Sequence, residues 1–363
     1  MIFDGDSLAF AIRRRSMKKK DLAESLGVTT RQLSNYLNNE RQPSLSVLRQ
    51  MSTVLNFPIT FFSGEDDWWR DAPRGINFRK ASAMTKAQED SAKAMSKYAE
   101  GFLELVEKQY EFPALDIPSV SVNESSGLTP EDAADLVRAE WGITGMKLEN
   151  LIAFLEMKGV RIFSLDERNN NIDAYSMWRD SAPFVFLNTQ KTVERTRFDL
   201  AHELGHLVMH QGVKATSPEQ EAEADRFASA FLMPASSIKA HLSSDMLLDD
   251  LISAKSHWGV SLAALVYRMN RLGFFSEWMH RTLCIRIAQE GFRKHEPNRL
   301  PDSYERSTVL TRVLEDLCLN GASIASIAKK MNVYENEIKQ LLLFSPVKNQ
   351  RTLLKRGHLK LVS

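Results

Sequence analysis

Phe198-Asp199-Leu200-Ala201-His202-Glu203-Leu204-Gly205-His206-Leu207-Val208-Met209 is the stretch on which the reading of this 363-residue chain turns. Its apolar residues recur at helical spacing and predict a helix. Positions four apart on a helix lie one above the other on one face, so the imidazoles of His202 and His206 can share one ion. For zinc the bond lengths would be about 2.0–2.1 Å. Glu203 is rotated by about 100° from His202. Its carboxylate falls beside the ion, placed to take a proton from a bound water whose pKa zinc lowers towards about 7.

A tetrahedral catalytic zinc needs a third protein ligand. His210 continues the face of His202 and His206, but it lies two turns from His202, about 12 Å along the axis. It reads as a helix-end histidine. An acidic cluster follows, Glu219, Glu221, Glu223 and Asp225, ahead of Phe227-Ala228-Ser229-Ala230-Phe231-Leu232-Met233-Pro234. Phe227, Ala230 and Phe231 mark the buried face of a second helix. Glu221 and Asp225 are i, i+4 and share a face. Glu221 is then the candidate ligand, with Asp225 as acceptor for the second N–H of a ligand histidine. Glu223 is the second choice, and Glu219 reads as a solvated acid complementing the helix dipole.

Together, Arg195-Thr196-Arg197-Phe198 through His210, Glu221-Ala222-Glu223-Ala224-Asp225-Arg226-Phe227-Ala228 and Leu232-Met233-Pro234 resemble the ImmA/IrrE family of zinc metallopeptidases. The resemblance is specific over about residues 155–235. It implies a gluzincin-like fold and zinc as cofactor. It also implies cleavage of a protein partner such as a transcriptional repressor in response to stress. The family's third ligand is the glutamate thirteen residues before the Met-Pro proline, which falls on Glu221. Phe231 stands where the family often has leucine, a change of similar volume.

The first 62 residues read as all-helical, with apolar faces at Leu8-Ala9-Ile12, Leu22-Ala23-Leu26, Leu33-Leu37 and Leu45-Leu48-Met51-Leu55. Gly27 suits a left-handed cap, Thr29 caps the third helix and Pro43-Ser44 opens the fourth. Nine Lys/Arg against five Asp/Glu give this segment a local positive charge, although the whole chain is only +1. Leu22-Ala23-Glu24-Ser25-Leu26-Gly27-Val28-Thr29-Thr30-Arg31-Gln32-Leu33-Ser34-Asn35-Tyr36-Leu37 resembles the helix-turn-helix of Xre/Cro-type repressors, over about residues 5–62. The resemblance implies that Thr30, Arg31, Gln32 and Asn35 face DNA. Arg13–Arg15 and Lys18–Lys20 would lie near its backbone, and dimers would read two half-sites. Ser323–Leu342 has a similar helix–turn–helix rhythm but no glycine at the turn, and reads as a packing hairpin.

Residues 63–83 break the helical periodicity and read as a linker before a helix at about 85–109. Two further helices fall in 130–158. Val160–Phe163, Ile172–Trp178 and Phe184–Leu187 are candidate strands, with a turn at Asn169-Asn170-Asn171. The tail after Pro346 is basic and reads as solvated.

The expected fold is α+β and mostly helical. An all-α helix-turn-helix domain (1–62), then a linker and helix (63–118), precede a gluzincin-like domain with a small sheet (119–240). A helical C-terminal region follows (241–363). Apolar residues at 43% and charged residues at 26% exclude collagen-like and wholly disordered chains. Two cysteines exclude a disulfide scaffold and suit a reducing compartment. An acidic N-terminus and no apolar run near about 20 residues lead to the expectation of a soluble, cytoplasmic protein away from membranes. The expected function is a DNA-anchored zinc endopeptidase with Glu203 as general base. The alternative is a regulator or antitoxin whose peptidase-like domain senses metal or ligand without turnover. Tyr175 and Arg197 are candidates, by position only, for stabilising the tetrahedral oxyanion.

Overall fold

The computed structural model describes residues 2–65, 68–70, 77–78, 86–123, 125–145, 147–165, 173–179, 182–211 and 217–342. The expected turn at Asn169–Asn171 and the basic tail lie outside them. The fold is α+β and mostly helical. Helices α1 (Gly5–Arg14), α2 (Lys19–Ser25), α3 (Thr30–Leu37) and α4 (Leu45–Leu55) form the N-terminal unit, followed by a 3-10 turn at Ile59–Ser63. Gly27 has φ +62° and turns the chain between α2 and α3. Thr29 and Gln32 form a reciprocal capping box at the start of α3, which satisfies two otherwise orphaned backbone donors. Leu48, Met51 and Leu55 face inward as expected. Leu45 does not and is exposed, because at the first position of α4 it lies beyond the edge of the core.

The long α5 (Lys86–Val106) packs on α1. α6 (Pro130–Glu140) and α7 (Leu151–Met157) lead into a four-stranded sheet of β1 (Asn77–Phe78), β2 (Arg161–Ser164), β3 (Ala174–Arg179) and β4 (Ala182–Leu187). The strand order is β1-β3-β4-β2. β3 and β4 form an antiparallel pair with Tyr175 opposite Phe186, and β2 runs parallel to β4 with Ile162 opposite Val185. β1 arises from the segment expected to be linker and pairs with β3. Then come α8 (Val193–Met209), α9 (Pro218–Leu232), α10 (Ala235–His241), α11 (Leu248–Ala254), α12 (Leu262–Arg271) and α13 (Glu277–Gln289). Last are α14 (Val309–Leu319), α15 (Ile324–Lys330) and α16 (Glu335–Leu341).

The sheet separates two apolar cores because strand side chains alternate between faces. Ile162, Ala174, Val185 and Leu187 face one core, with α6–α9 and α12. Phe163, Tyr175, Met177, Phe184 and Phe186 face the other, which contains α1, α4, α5 and α14–α16. The C-terminal hairpin thus returns to the N-terminal unit. Asn332, at φ +54°, takes the left-handed turn that the hairpin makes without glycine, a conformation asparagine tolerates better than most residues. Its side-chain Oδ1 accepts from Thr60 Oγ1 at 2.5 Å. Trp68 Nε1 donates to the Met331 carbonyl at 3.0 Å.

Buried charge marks this junction. Arg14 Nη2 and Arg15 Nη1 each lie 2.8 Å from the Glu337 carboxylate of α16. Arg14 also stands over the Tyr98 ring, 5.1 Å from its centroid. The expectation that Arg14 and Arg15 lie near a DNA backbone is therefore corrected. Arg14 sits on the inward face of α1 and Arg15 caps its C-terminus, and both guanidinium groups are held by the Glu337 carboxylate within the protein. Arg13 and Lys18–Lys20 are exposed.

Candidate metal centre and DNA-binding surface

Thr192 caps α8, accepting from the Arg195 backbone N–H. Ser217 and Gln220 form a capping box on α9, and Pro218 occupies its first turn, where its missing N–H costs nothing. The two helices approach closely at Gly205. A Cβ there would meet Phe227 Cδ1 at 3.0 Å and Phe227 Cβ at 3.2 Å. That approach brings the start of α9 over the middle of α8.

His202, His206 and Glu221 each offer a ligand atom, and these atoms all lie within 4.8 Å of one another. The Nε2 atoms of His202 and His206 are 3.1 Å apart. Glu221 reaches both, with Oε2 at 3.3 Å from His202 Nε2 and Oε1 at 3.5 Å from His206 Nε2. Two imidazoles and a carboxylate form a donor set of the kind that would suit zinc. His202 Nδ1 lies 2.8 Å from Asp225 Oδ1. Glu203, one residue along α8, is buried. Burial opposes protonation of His202, but hydrogen bonds from its ring to the Asp225 and Glu221 carboxylates and the Glu203 charge win, and its pKa is raised to about 10.

Glu223 does not join this trio. It points to His210, whose Nε2 lies 2.8 Å from Glu223 Oε2. His210 ends α8 as its C-cap, and its Nδ1 lies 3.0 Å from His206 Nδ1. Sequence reasoning misses this pairing. The i, i+4 spacing of His206 and His210 is the signal that could find it, but that spacing draws attention to His210 only as a metal ligand.

The two oxyanion candidates are corrected. Tyr175 is fully buried on the other face of the sheet, its hydroxyl donating to the Ala92 carbonyl at 3.0 Å, and burial pushes its phenol upward. Arg197 is also buried. It pairs with Glu305 and donates through Nη2 to the Leu148 carbonyl at 2.8 Å. Nearness in sequence suggests both positions, but both side chains point into packing.

On α3, Thr30 and Arg31 are exposed. Gln32 is half-buried, and its Oε1 accepts from the Thr29 backbone N–H at 2.9 Å. Asn35 donates locally to the Arg31 carbonyl at 3.1 Å and to Glu40 at 3.2 Å, in the amide orientation that satisfies both. Of the four residues expected at DNA, Thr30 and Arg31 are the freest to leave the protein surface.

These features define a class: a helix-turn-helix unit joined to a domain with a candidate metal-binding His/Glu cluster. Comparison with protein families agrees. Residues 155–270 match the IrrE N-terminal-like domain of the M78 peptidases, and residues 11–62 match the helix-turn-helix family. The chain therefore carries an IrrE-like peptidase-family domain behind a helix-turn-helix DNA-binding domain. A search of curated proteins finds no match to the chain. Among the described residues, no helix is long and apolar enough to cross a membrane.

Proposed function

We propose that this protein is a DNA-anchored zinc metallo-endopeptidase that cleaves a protein partner such as a transcriptional repressor or antitoxin. The observation that carries the reading is the convergence of His202, His206 and Glu221 within 4.8 Å, with Glu203 next to them on α8. In this reading residues 1–62 bind DNA and 119–240 form the peptidase domain. Residues 63–118 and 241–363 connect and brace them, and the protein works in the cytoplasm on DNA, as a homodimer where the operator has two half-sites.

His202, His206 and Glu221 would hold the zinc, and Asp225 would orient the His202 ring. When bound, zinc supplies Lewis acidity and lowers the pKa of a water towards about 7. Glu203 takes a proton from the attacking water and delivers it to the departing amine. A site that only senses metal has no use for such a proton acceptor.

A second reading, a regulator or antitoxin that senses metal or ligand without turnover, is favoured by one observation. The face of the sheet remote from the cluster shares a core with α1 and α4 of the DNA-binding unit, a route by which occupancy could bias DNA binding. Mass spectrometry of new protein termini in cells carrying wild type or Glu203→Gln separates the two. Termini present only with wild type support the peptidase, and identical profiles with unchanged regulation contradict it.

A further inference from the structure

We propose that His210 and Glu223 are positioning residues that fix the tautomer and ring orientation of His206. This rests on the metal-centre reading above and concerns how one of its ligands is held. Three contacts carry it. His206 Nε2 faces His202 Nε2 at 3.1 Å. On the other side of the ring, His206 Nδ1 meets His210 Nδ1 at 3.0 Å. His210 Nε2 meets Glu223 Oε2 at 2.8 Å. His206 and His210 are both buried.

The proton positions follow from what each group can donate or accept. An ionised carboxylate only accepts, so the His210 nitrogen facing Glu223 is the one that carries hydrogen. A neutral His210 then presents the lone pair of Nδ1. His206 must donate to it through Nδ1–H, which leaves the His206 Nε2 lone pair directed at the cluster. The reverse tautomer of His210 would donate to His206 Nδ1. His206 Nε2 would then carry hydrogen and could not ligate. Glu223 thus selects the ligand-competent form of His206 with His210 as the intermediary.

The arrangement explains why the acids of α9 divide as they do. Glu221 and Asp225 lie four apart and serve the His202 side. Glu223 lies between them in sequence but is turned to another face of the helix, where it reaches the end of α8. His202 is close enough to α9 for a direct carboxylate partner, at 2.8 Å from Asp225. His206 is served through a second imidazole instead. An outer partner of this kind holds the ring in place before metal arrives, and its removal commonly weakens metal affinity by about 10–100-fold.

The test is zinc affinity of the full chain, measured by competition with a chromophoric chelator. Wild type is compared with His210→Phe, which keeps volume but removes both nitrogens, with Glu223→Ala, and with Glu223→Gln, which keeps an acceptor. The expectation is one zinc per chain throughout, bound about 10–100-fold more weakly in His210→Phe and Glu223→Ala, with partial recovery in Glu223→Gln. Variants within twofold of wild type would overturn the role of His210 and Glu223 alone. A wild-type chain that takes up no zinc would overturn the metal centre as well. Long-range proton–nitrogen NMR of zinc-loaded wild type gives a readout independent of variant folding. His206 protonated at Nδ1 and His210 at Nε2 support the proposal, and the opposite pattern overturns it.

Discussion

Arg14, in α1, and Glu337, in α16, meet at 2.8 Å across 323 residues of sequence. Arg15 completes the group at the same distance from the other carboxylate oxygen. One carboxylate is therefore shared by two guanidinium groups whose side chains are largely withdrawn from water. Removing one member of a buried ion pair typically costs about 3–5 kcal/mol, because the remaining charge stays desolvated. Glu337→Ala is expected to destabilise the chain by about that amount, and Arg14→Met, which removes charge but keeps bulk, by less. Chemical denaturation of the two variants checks the order.

The same pair bears on DNA binding. Arg31 is exposed on α3, whereas Arg14 is 1% exposed. A cationic side chain on a phosphate adds about one unit to the slope of binding against salt, because it displaces a condensed counterion. Arg31→Ala is expected to weaken binding to random-sequence duplex and to reduce that slope by about 1. Arg14→Met should leave the slope unchanged. Fluorescence anisotropy across a salt series distinguishes them.

Gly205 sets the spacing between the two helices of the candidate metal centre. A methyl group there would press on buried Phe227 at 3.0 Å. Alanine gains about 1 kcal/mol in helix propensity, but overpacking a tight core costs about 1–3 kcal/mol. Gly205→Ala is therefore expected to be net destabilising by up to about 2 kcal/mol. It should also weaken zinc binding by moving Glu221 away from His202 and His206. Thermal melts with and without zinc measure both effects.

Glu131 ties α6 to α9 and α12 through Arg226 at 2.7 Å and Arg271 at 3.3 Å. Burial raises its carboxyl pKa, yet the Arg226 hydrogen bond and the two positive charges outweigh burial and hold it below the usual carboxylate value. A depressed carboxyl stabilises the fold above its unfolded pKa, and the contribution fades as pH falls through the folded value. Glu131→Gln should therefore lower the melting temperature at pH 7 by on the order of 2 °C. That difference should shrink as pH is lowered below the usual glutamate value, which a pH series of melting curves tests.

Local spacing made part of this molecule legible in its sequence. The helix-turn-helix rests on Gly27 and Thr29, and the histidine pair on a four-residue step along α8. The i, i+4 relation of Glu221 and Asp225 singles out the acids that the fold brings to His202. Contacts between distant segments are not legible. Nothing near Glu337 announces a partner at Arg14, and the basic run at residues 13–15 reads as a DNA-facing patch because sequence alone does not reveal its inward half. Sequence proximity suggests Tyr175 and Arg197, but strand alternation and a buried Glu305 decide where they point. The distance of His210 from His202 draws the eye away from its neighbour His206.

The central claim is that His202, His206 and Glu221 bind one transition-metal ion. Elemental analysis of the purified full chain, alongside His206→Ala, tests it most directly. The account predicts about one zinc per wild-type chain and strong depletion in the variant. Metal-free wild type, or equal zinc in both, would contradict it.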